Sequence, residues 1–539
     1  MKPLKSPPVR RRRTATFASL VLVAGLVAGA ANPAAAAPAS APSALDTVVP
    51  KPVSVQADPN GAYSLHPGTV VFAQLGSADA DQAARLLAEK LRPSTGYPLP
   101  VVPVPAGMPA PGISFQLTRD ADQIGAEGYR LTTSRQGVRI EATGRAGLEN
   151  GAQTLRQLLP SKVESKAKQA GPWTVPGGRI VDRPRYGHRG MMLDVARNFV
   201  PQNEVKELID QLSYYKMNTL HLHLTDDQGW RLQIDSWPRL ATYGGSTKIN
   251  GGPGGYYTKA QYRDLVDYAA KRNITIIPEV DLPGHTTAAL ASYAELNCDG
   301  VAPPLYTGPD TGFSSLCIGA KPTAKFVDDV IREVAALTPG QYLHIGGDEA
   351  NNTSAPDYAA FMKLVEQTVA KYGKKMLGWN ESLQATTPTA STGQYWYPWT
   401  DDEETLQKAK EGAKLVMSPA NRSYLDMRYA DATPPLASLW AGDVEAKNAY
   451  DWDPDKGIDN VPAGTVLGVE ATLFTTFTPT KESREFMMYP RLPELAEVGW
   501  TPEAGRSWDS IASRLPAQAE RWKQWNVTFY PSPQVNWGK

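Results

Sequence analysis

The rhythm of apolar and polar positions changes near Asp182. Upstream of it, short apolar runs alternate with one amphipathic helix at a time. Residues 70–73 and 113–117 read as strands and 81–91 as a helix with one apolar face. Residues 129–133 and 137–142 alternate on either side of Arg135-Gln136, as a hairpin does, and 146–159 is a second helix. This predicts a small α/β domain over 61–180. Residues 162–171 form a polar connector, and the Pro/Ala/Ser-rich stretch 38–60 is expected to be a flexible lead-in.

Downstream, apolar runs of strand length recur at 190–196, 219–224, 275–280, 342–345, 375–378, 394–397, 414–417 and 466–471. Helical periodicity fills most gaps, at 203–215, 259–271, 324–336, 358–372 and 403–412. Eight strands alternating with helices predict a (β/α)8 TIM barrel over 181–525, with a doubly wound open sheet as the competing architecture. Residues 526–539 remain as a C-terminal tail. In such a barrel, working side chains gather at the C-terminal ends of the strands. Those ends carry Asp194 and Arg197, Asp226-Asp227, then Glu279, Asp281 and His285. They continue with Asp348-Glu349, Trp379 and Glu381, Trp396, Tyr424 and Asp426, and finally Glu470 and Phe474. The fourth strand is the most telling: 342–349 runs Tyr-Leu-His-Ile-Gly-Gly-Asp-Glu, a buried strand stopped by two glycines that delivers adjacent carboxylates. Carboxylates beside a buried strand end cost desolvation energy unless something uses them. A helix N-terminus would also accept such acids. Acids, one Arg, one His and aromatics together suit a neutral, polyhydroxylated ring. No Gly-rich phosphate loop accompanies them.

Composition narrows the class. Fifty-five basic residues balance 55 acidic ones, which argues against a nucleic-acid or membrane-surface binder. The 13 Trp and 23 Tyr supply aromatic faces of the kind that stack on sugars, although any single one is by default core. Residues 1–37 have a basic start, a short apolar core and an Ala-rich end, which predicts a secretion signal and an extracellular protein. In that setting Cys298 and Cys317 are expected to form a disulfide. No metal or other cofactor is expected. His221 and His223 lie two apart and share a strand face, as metal ligands in a hydrolase barrel can. Further ligands are not evident among six histidines, so the pair is read as barrel interior.

At this point the motifs resemble a known family. His188-Arg189-Gly190 with Leu193-Asp194-Val195-Ala196-Arg197, the segment 221–230 (His-Leu-His-Leu-Thr-Asp-Asp-Gln-Gly-Trp), Pro278-Glu279-Val280-Asp281-Leu282-Pro283-Gly284-His285 and 344–349 are similar to the glycoside hydrolase family 20 β-N-acetylhexosaminidases of secreted actinobacterial type. Asn150-Gly151-Ala152-Gln153-Thr154-Leu155 matches in the small domain, and the resemblance spans about 45–525. It implies a retaining exo-enzyme acting on oligosaccharides or glycoconjugates that end in β-linked GlcNAc or GalNAc, with the substrate's 2-acetamido group as nucleophile. Glu349 would then be the general acid and base, its pKa raised by a dry, acidic pocket. Asp348 would orient the acetamido N–H and Tyr424 would donate to its oxygen. Arg197 and Asp226 would hold ring hydroxyls, with Asp426 nearby. His285, tied to Asp281 and Glu349, would tune the proton. Trp379, Trp396 and Trp440 would wall the sugar.

The last strand departs from the family. Where Trp-x-Glu is usual, this chain has Phe474-Thr475-Thr476. Phe474 offers less stacking area, and Thr476 forgoes a charge-assisted bond worth about 1.5–3 kcal/mol. Two alternatives follow: a lacto-N-biosidase-like enzyme releasing a disaccharide, or a sugar-binding barrel without catalysis. Arg197 weighs against the first, and Asp348, Glu349 and Tyr424 against the second.

Overall fold

The computed structural model describes residues 44–399, 402–430 and 437–538. The expected secretion signal, 1–37, lies outside them.

Residues 44–182 build the small domain around a seven-stranded sheet. Its centre is the expected hairpin, Tyr129–Ser134 against Gly137–Ala142, flanked by Gly112–Leu117 and Val71–Gln74. The helices Ala78–Thr95 and Arg145–Leu158 turn their apolar stripes onto it. Ser77 caps the first by accepting from the Ala80 N–H at 3.1 Å.

The lead-in is not flexible over its described part. Leu45, Val48 and Val49 are buried, and Gln157 holds both the N–H and the carbonyl of Val49. Ser54–Ala57 then pairs antiparallel with Gly178–Asp182 at the sheet edge. Ser54–Ala57 escaped the sequence reading for a physical reason. The edge strand exposes nearly every residue, so it has no alternation to detect, and three apolar side chains are diluted by the surrounding Pro, Ala and Ser. The C-terminal tail also packs: Val527, Tyr530 and Val535 are buried, and the Tyr530 ring stacks on Tyr429 at 4.0 Å.

The barrel closes as expected, with eight parallel strands in chain order. They are His188–Asp194, Thr219–His223, Thr275–Glu279, Tyr342–His344, Lys375–Trp379, Ser391–Tyr395, Lys414–Met417 and Val466–Leu473. Closure pairs the first with the last, Gly190 opposite Glu470 and Leu193 opposite Leu473. Strand six ends two residues before the expected 397, because the chain turns out at Trp396, whose N–H bonds Asn380 Oδ1. One large apolar cluster fills the space between strands and helices. The lumen differs, since beside a small apolar cluster of Ile277, Leu377 and Val416 it buries His221, His223, His344, Glu279 and Glu470.

Candidate active site

Gly346 sets the geometry of the fourth strand's end. At φ 67° it turns the chain where a Cβ would lie 1.7 Å from Asp281 Oδ1, so only glycine fits. Asp281 Oδ1 accepts the next N–H, that of Gly347, at 3.1 Å. The turn leaves Asp348 and Glu349 facing one imidazole. His285 Nε2 lies 3.7 Å from Asp348 Oδ2 and 3.5 Å from Glu349 Oε2. Glu349 and His285 both sit at positive φ, 46° and 54°. Left-handed backbone at two non-glycine residues costs about 1 kcal/mol each, strain that tends to collect at working sites.

The other nitrogen of His285 meets Asp226 Oδ1 at 3.2 Å. This corrects the expected tie to Asp281, which acts on His285 through charge alone while its carboxyl sits against Asp348. Asp226 also bonds His223 Nε2 and Arg197 Nη2, each at 2.8 Å. Arg197 reaches Asp194 at 3.4 Å, and its guanidinium lies 5.0 Å above the Phe474 ring. Asp194 in turn accepts from the Thr475 N–H at 2.9 Å, locking the eighth strand's exit to the first.

Electrostatics sort the two adjacent acids, but not as expected. Burial pushes Asp348 up to about 6; His285 opposes that rise and the Glu349 charge adds to it. For Glu349 burial also works upward, yet the close approach and charge of His285, with Thr311, outweigh it, so its pKa is lowered. In this balance the proton favours Asp348 and His285 over Glu349. Burial opposes a charged His285, but Asp226, Asp281 and Asp348 prevail and hold its pKa well above the ordinary range.

The aromatics expected as walls do converge. Trp396 meets Trp440 edge-on at 5.6 Å and lies parallel to Tyr424 at 6.5 Å, and its indole N–H is held by Glu381. Phe474 touches Tyr424 and Trp379 at 5.5 and 6.2 Å. Trp440 is half exposed, but Trp379 is covered, with its N–H given to Glu279 at 3.0 Å. Tyr424 keeps its proton: burial, then the charges of Asp426, Asp348 and Glu381, raise its pKa well above 10. Asp426 is buried too and is pushed up to about 7 by that burial. Thr476 sits part-exposed two residues past Phe474. Next to the pair, a cleft of about 720 Å³ is lined by Glu349, Tyr358, Glu381, Trp396 and Tyr397.

Glu470 is misplaced by the strand-end reading. It lies inside the eighth strand and points into the lumen, where it bonds His188 and His221. Two contributors went unread. Thr311 reaches Glu349 from a loop closed by the Cys298–Cys317 disulfide, and Ser314 of that loop bonds Asp227 at 2.6 Å. Nothing in the Pro- and Gly-rich stretch 299–311 marks it in sequence. His221, Glu279 and His344 lie close enough to share a cation, as do His285, Asp348 and Glu349. In the fold these groups already pair with one another.

Comparison with known proteins gives the family. Residues 186–357 and 354–503 match the model of the glycosyl hydrolase family 20 catalytic domain, and 46–183 match domain 2 of that family. A β-N-acetylhexosaminidase of Cellulomonas fimi is 38% identical over 490 residues, covering 91% of this chain and 97% of the relative. The solved family 20 β-N-acetylhexosaminidase of Streptomyces coelicolor A3(2) shares 50% identity and superposes with a TM-score of 0.88, over 92% of this chain and all of that one. A Streptomyces plicatus β-hexosaminidase solved with its product GlcNAc is equally similar, at 50% identity and TM-score 0.88 over 93% of this chain and 99% of that one. The chain is a glycoside hydrolase and belongs to family 20, the β-N-acetylhexosaminidases.

Proposed function

We propose that this enzyme releases single terminal N-acetylhexosamines from β-linked glycans by substrate-assisted catalysis with retention at C1. One observation carries the mechanism. Asp348 and Glu349 are chain neighbours whose carboxyl oxygens, together with His285 Nε2, lie within 4.8 Å of one another. Carboxylates that flank a glycosidic bond stand about 5–5.5 Å apart on opposite faces when one is the nucleophile, and about 6.5–9.5 Å apart when water attacks directly. Two acids that are chain neighbours at one strand end are poorly placed to flank the bond from opposite faces, which supports a nucleophile supplied by the substrate.

The steps follow from this geometry. Glu349, ionised in the open pocket, first takes up a proton as the bound sugar displaces water around it, and then gives it to the leaving oxygen as the acetamido oxygen closes on C1. Asp348 accepts the acetamido N–H and stabilises the charge of the oxazolinium. Its Oδ1 is buried and without a hydrogen-bond partner among the described residues, which supports that role. Tyr424 donates to the acetamido oxygen. Water then attacks C1, gives its proton to Glu349, and the acetamido group is restored. Arg197, held by Asp226 and Asp194, takes adjacent ring hydroxyls. The named activities of the relatives, and the GlcNAc held by one of them, support N-acetylglucosamine as a substrate. Export belongs to the same reading, supported by the basic and apolar start of the chain and by a disulfide, a bond that persists in oxidising compartments.

Phe474 and Thr476 favour one second reading, release of a disaccharide. Against it, Arg197 is held by Asp226 at 2.8 Å, and in the role proposed for it a second sugar on O3 would collide with it. Parallel assays of aryl β-N-acetylglucosaminide and aryl lacto-N-bioside, with and without a chelator, decide between them. Release from the monosaccharide alone, unaffected by chelator, is expected, and Glu349→Gln should abolish it while binding survives. Release only from the disaccharide, or none from either, would refute the proposal.

A further inference from the structure

Five of the six histidines, His188, His221, His223, His285 and His344, are buried in or directly above the barrel lumen. Four of them alternate with carboxylates in one column. His188 Nε2 lies 2.8 Å from Glu470 Oε2, and Glu470 Oε1 lies 2.8 Å from His221 Nδ1. His221 Nε2 lies 3.0 Å from Glu279 Oε2, the oxygen that also meets His223 Nδ1 at 2.5 Å. His223 Nε2 then meets Asp226, and Asp226 meets His285. The column begins at a floor cavity of about 630 Å³ that His188 lines with Glu127, Arg185 and Asn218. It ends at the Asp348–Glu349 pair. Gly190 makes room for it, since a Cβ there would lie 2.5 Å from Glu470 Oε2 and 2.8 Å from His188 Nε2.

The proton count of such a column is constrained by chemistry. A neutral imidazole has one N–H and one lone pair. His223 presents both nitrogens to hydrogen-bonded carboxyl oxygens, whereas His221 and His285 are bonded through Nδ1 and hold Nε2 3.0 and 3.5 Å from a carboxyl oxygen without a hydrogen bond. If His223 were neutral, its one lone pair would face a carboxylate lone pair in a buried site, a repulsion that one added proton removes, and at His221 and His285 a second carboxylate close to Nε2 favours the added proton by charge. Side contacts keep the acids in register. Trp379 Nε1 and His344 Nδ1 each lie 3.0 Å from Glu279 Oε1, and Gln394 Nε2 lies 3.1 Å from Glu470 Oε1.

We propose that this column is a proton-filled charge relay, in which imidazolium ions at His221 and His223 act through Asp226 and His285 to set the proton affinity of the Asp348–Glu349 pair. His221, His223 and Glu279 are on this view positioning residues, since none touches the pair. The electrostatic balance agrees. Burial disfavours a charged His221, but Glu279 and Glu470 raise its pKa to about 9, and His223 rises further for the same reason, between Glu279 and Asp226. His344, whose ring lies 4.5 Å from that of His221, is lowered by burial and is the neutral member. Around the pair itself, His285 and Arg197 face it as cations and Asp281 as an acid, and Tyr358 and Tyr424 feel its charge as phenols.

Only the kinetic arm of the test rests on the proposed glycosidase reading. The first arm is the nitrogen-15 NMR spectrum of the full chain labelled at histidine, ligand-free at pH 7. Expected are two N–H signals each for His221, His223 and His285, and one for His344. Single N–H signals for His221 and His223 would overturn the proposal. The second arm compares pH profiles of kcat/KM for His223→Gln and His221→Gln. Glutamine keeps a donor but not the charge. Losing a buried cation raises the proton affinity of the pair, so both limbs should move to higher pH, by about half a unit or more for His223→Gln and by less for the more distant His221→Gln, with KM within about twofold. Unmoved limbs in both variants would overturn the relay even if the imidazolium signals are seen. If the unaltered enzyme releases no sugar, the proposed function fails and the NMR arm alone decides the column.

Discussion

Asp348→Asn separates what the site needs from what the fold would prefer. Asparagine keeps the shape and loses the charge. A carboxyl held at about 6 instead of 3.8 costs up to about 3 kcal/mol to keep ionised at pH 7, at 1.36 kcal/mol per pH unit. The sign follows from linkage. With the folded pKa above the unfolded one, the penalty is full above pH 6, fades as pH falls from 6 to 3.8, and is absent below that. The variant should therefore be more stable than the parent at pH 7, by about 2–3 kcal/mol, and equally stable at pH 3.5. Activity should change in the opposite direction. Removing a preorganised group aimed at developing charge costs about 2.7–4 kcal/mol, or roughly 10²–10³ in kcat. The parent should lose kcat/KM as pH falls through about 6, when Asp348 takes a proton, and the variant should lack that acid limb. Urea unfolding at both pH values and rates on an aryl β-N-acetylglucosaminide measure both effects. A variant no more stable at pH 7, or one within tenfold of parental kcat, would refute the reasoning.

Three other substitutions probe other parts of the site. Gly346→Ala should destabilise by more than about 2 kcal/mol and abolish activity, because its Cβ would collide with Asp281 at positive φ; an unchanged urea midpoint would count against the turn as described. Cys298→Ser with Cys317→Ser opens a loop of 19-residue separation, for a loss of about 3 kcal/mol in thermal unfolding, and should lower kcat by loosening Thr311 beside Glu349. Thr476→Glu should lower KM for the monosaccharide about tenfold if a charge-assisted bond of roughly 1.5 kcal/mol is restored; no change would mean that the eighth strand's exit does not reach the sugar.

The sequence by itself determined the barrel, the small domain and the residues that gather at the mouth. A parallel strand buried on both faces writes itself as an apolar run, and an amphipathic helix as a 3.6-residue period, so the eight repeats were legible before any coordinates. The Gly-Gly-Asp-Glu ending was legible too, because charge beside a buried strand is rare and glycine marks the turn that presents it. Only the tertiary structure decided which carboxylate partners His285, since Asp226 and Asp281 stand on neighbouring strand ends and their separation depends on barrel curvature. It also decided that Asp348 rather than Glu349 is the acid pushed upward. That result turns on a few ångströms to one imidazole, and a pair energy falling with distance cannot be read from residue order. Glu470 shows the same limit, since a two-residue period says which face it occupies but not how deep in the lumen it lies. The edge strand 54–57 and the disulfide loop carry no periodic signal, because each is held by what packs against it rather than by its own pattern.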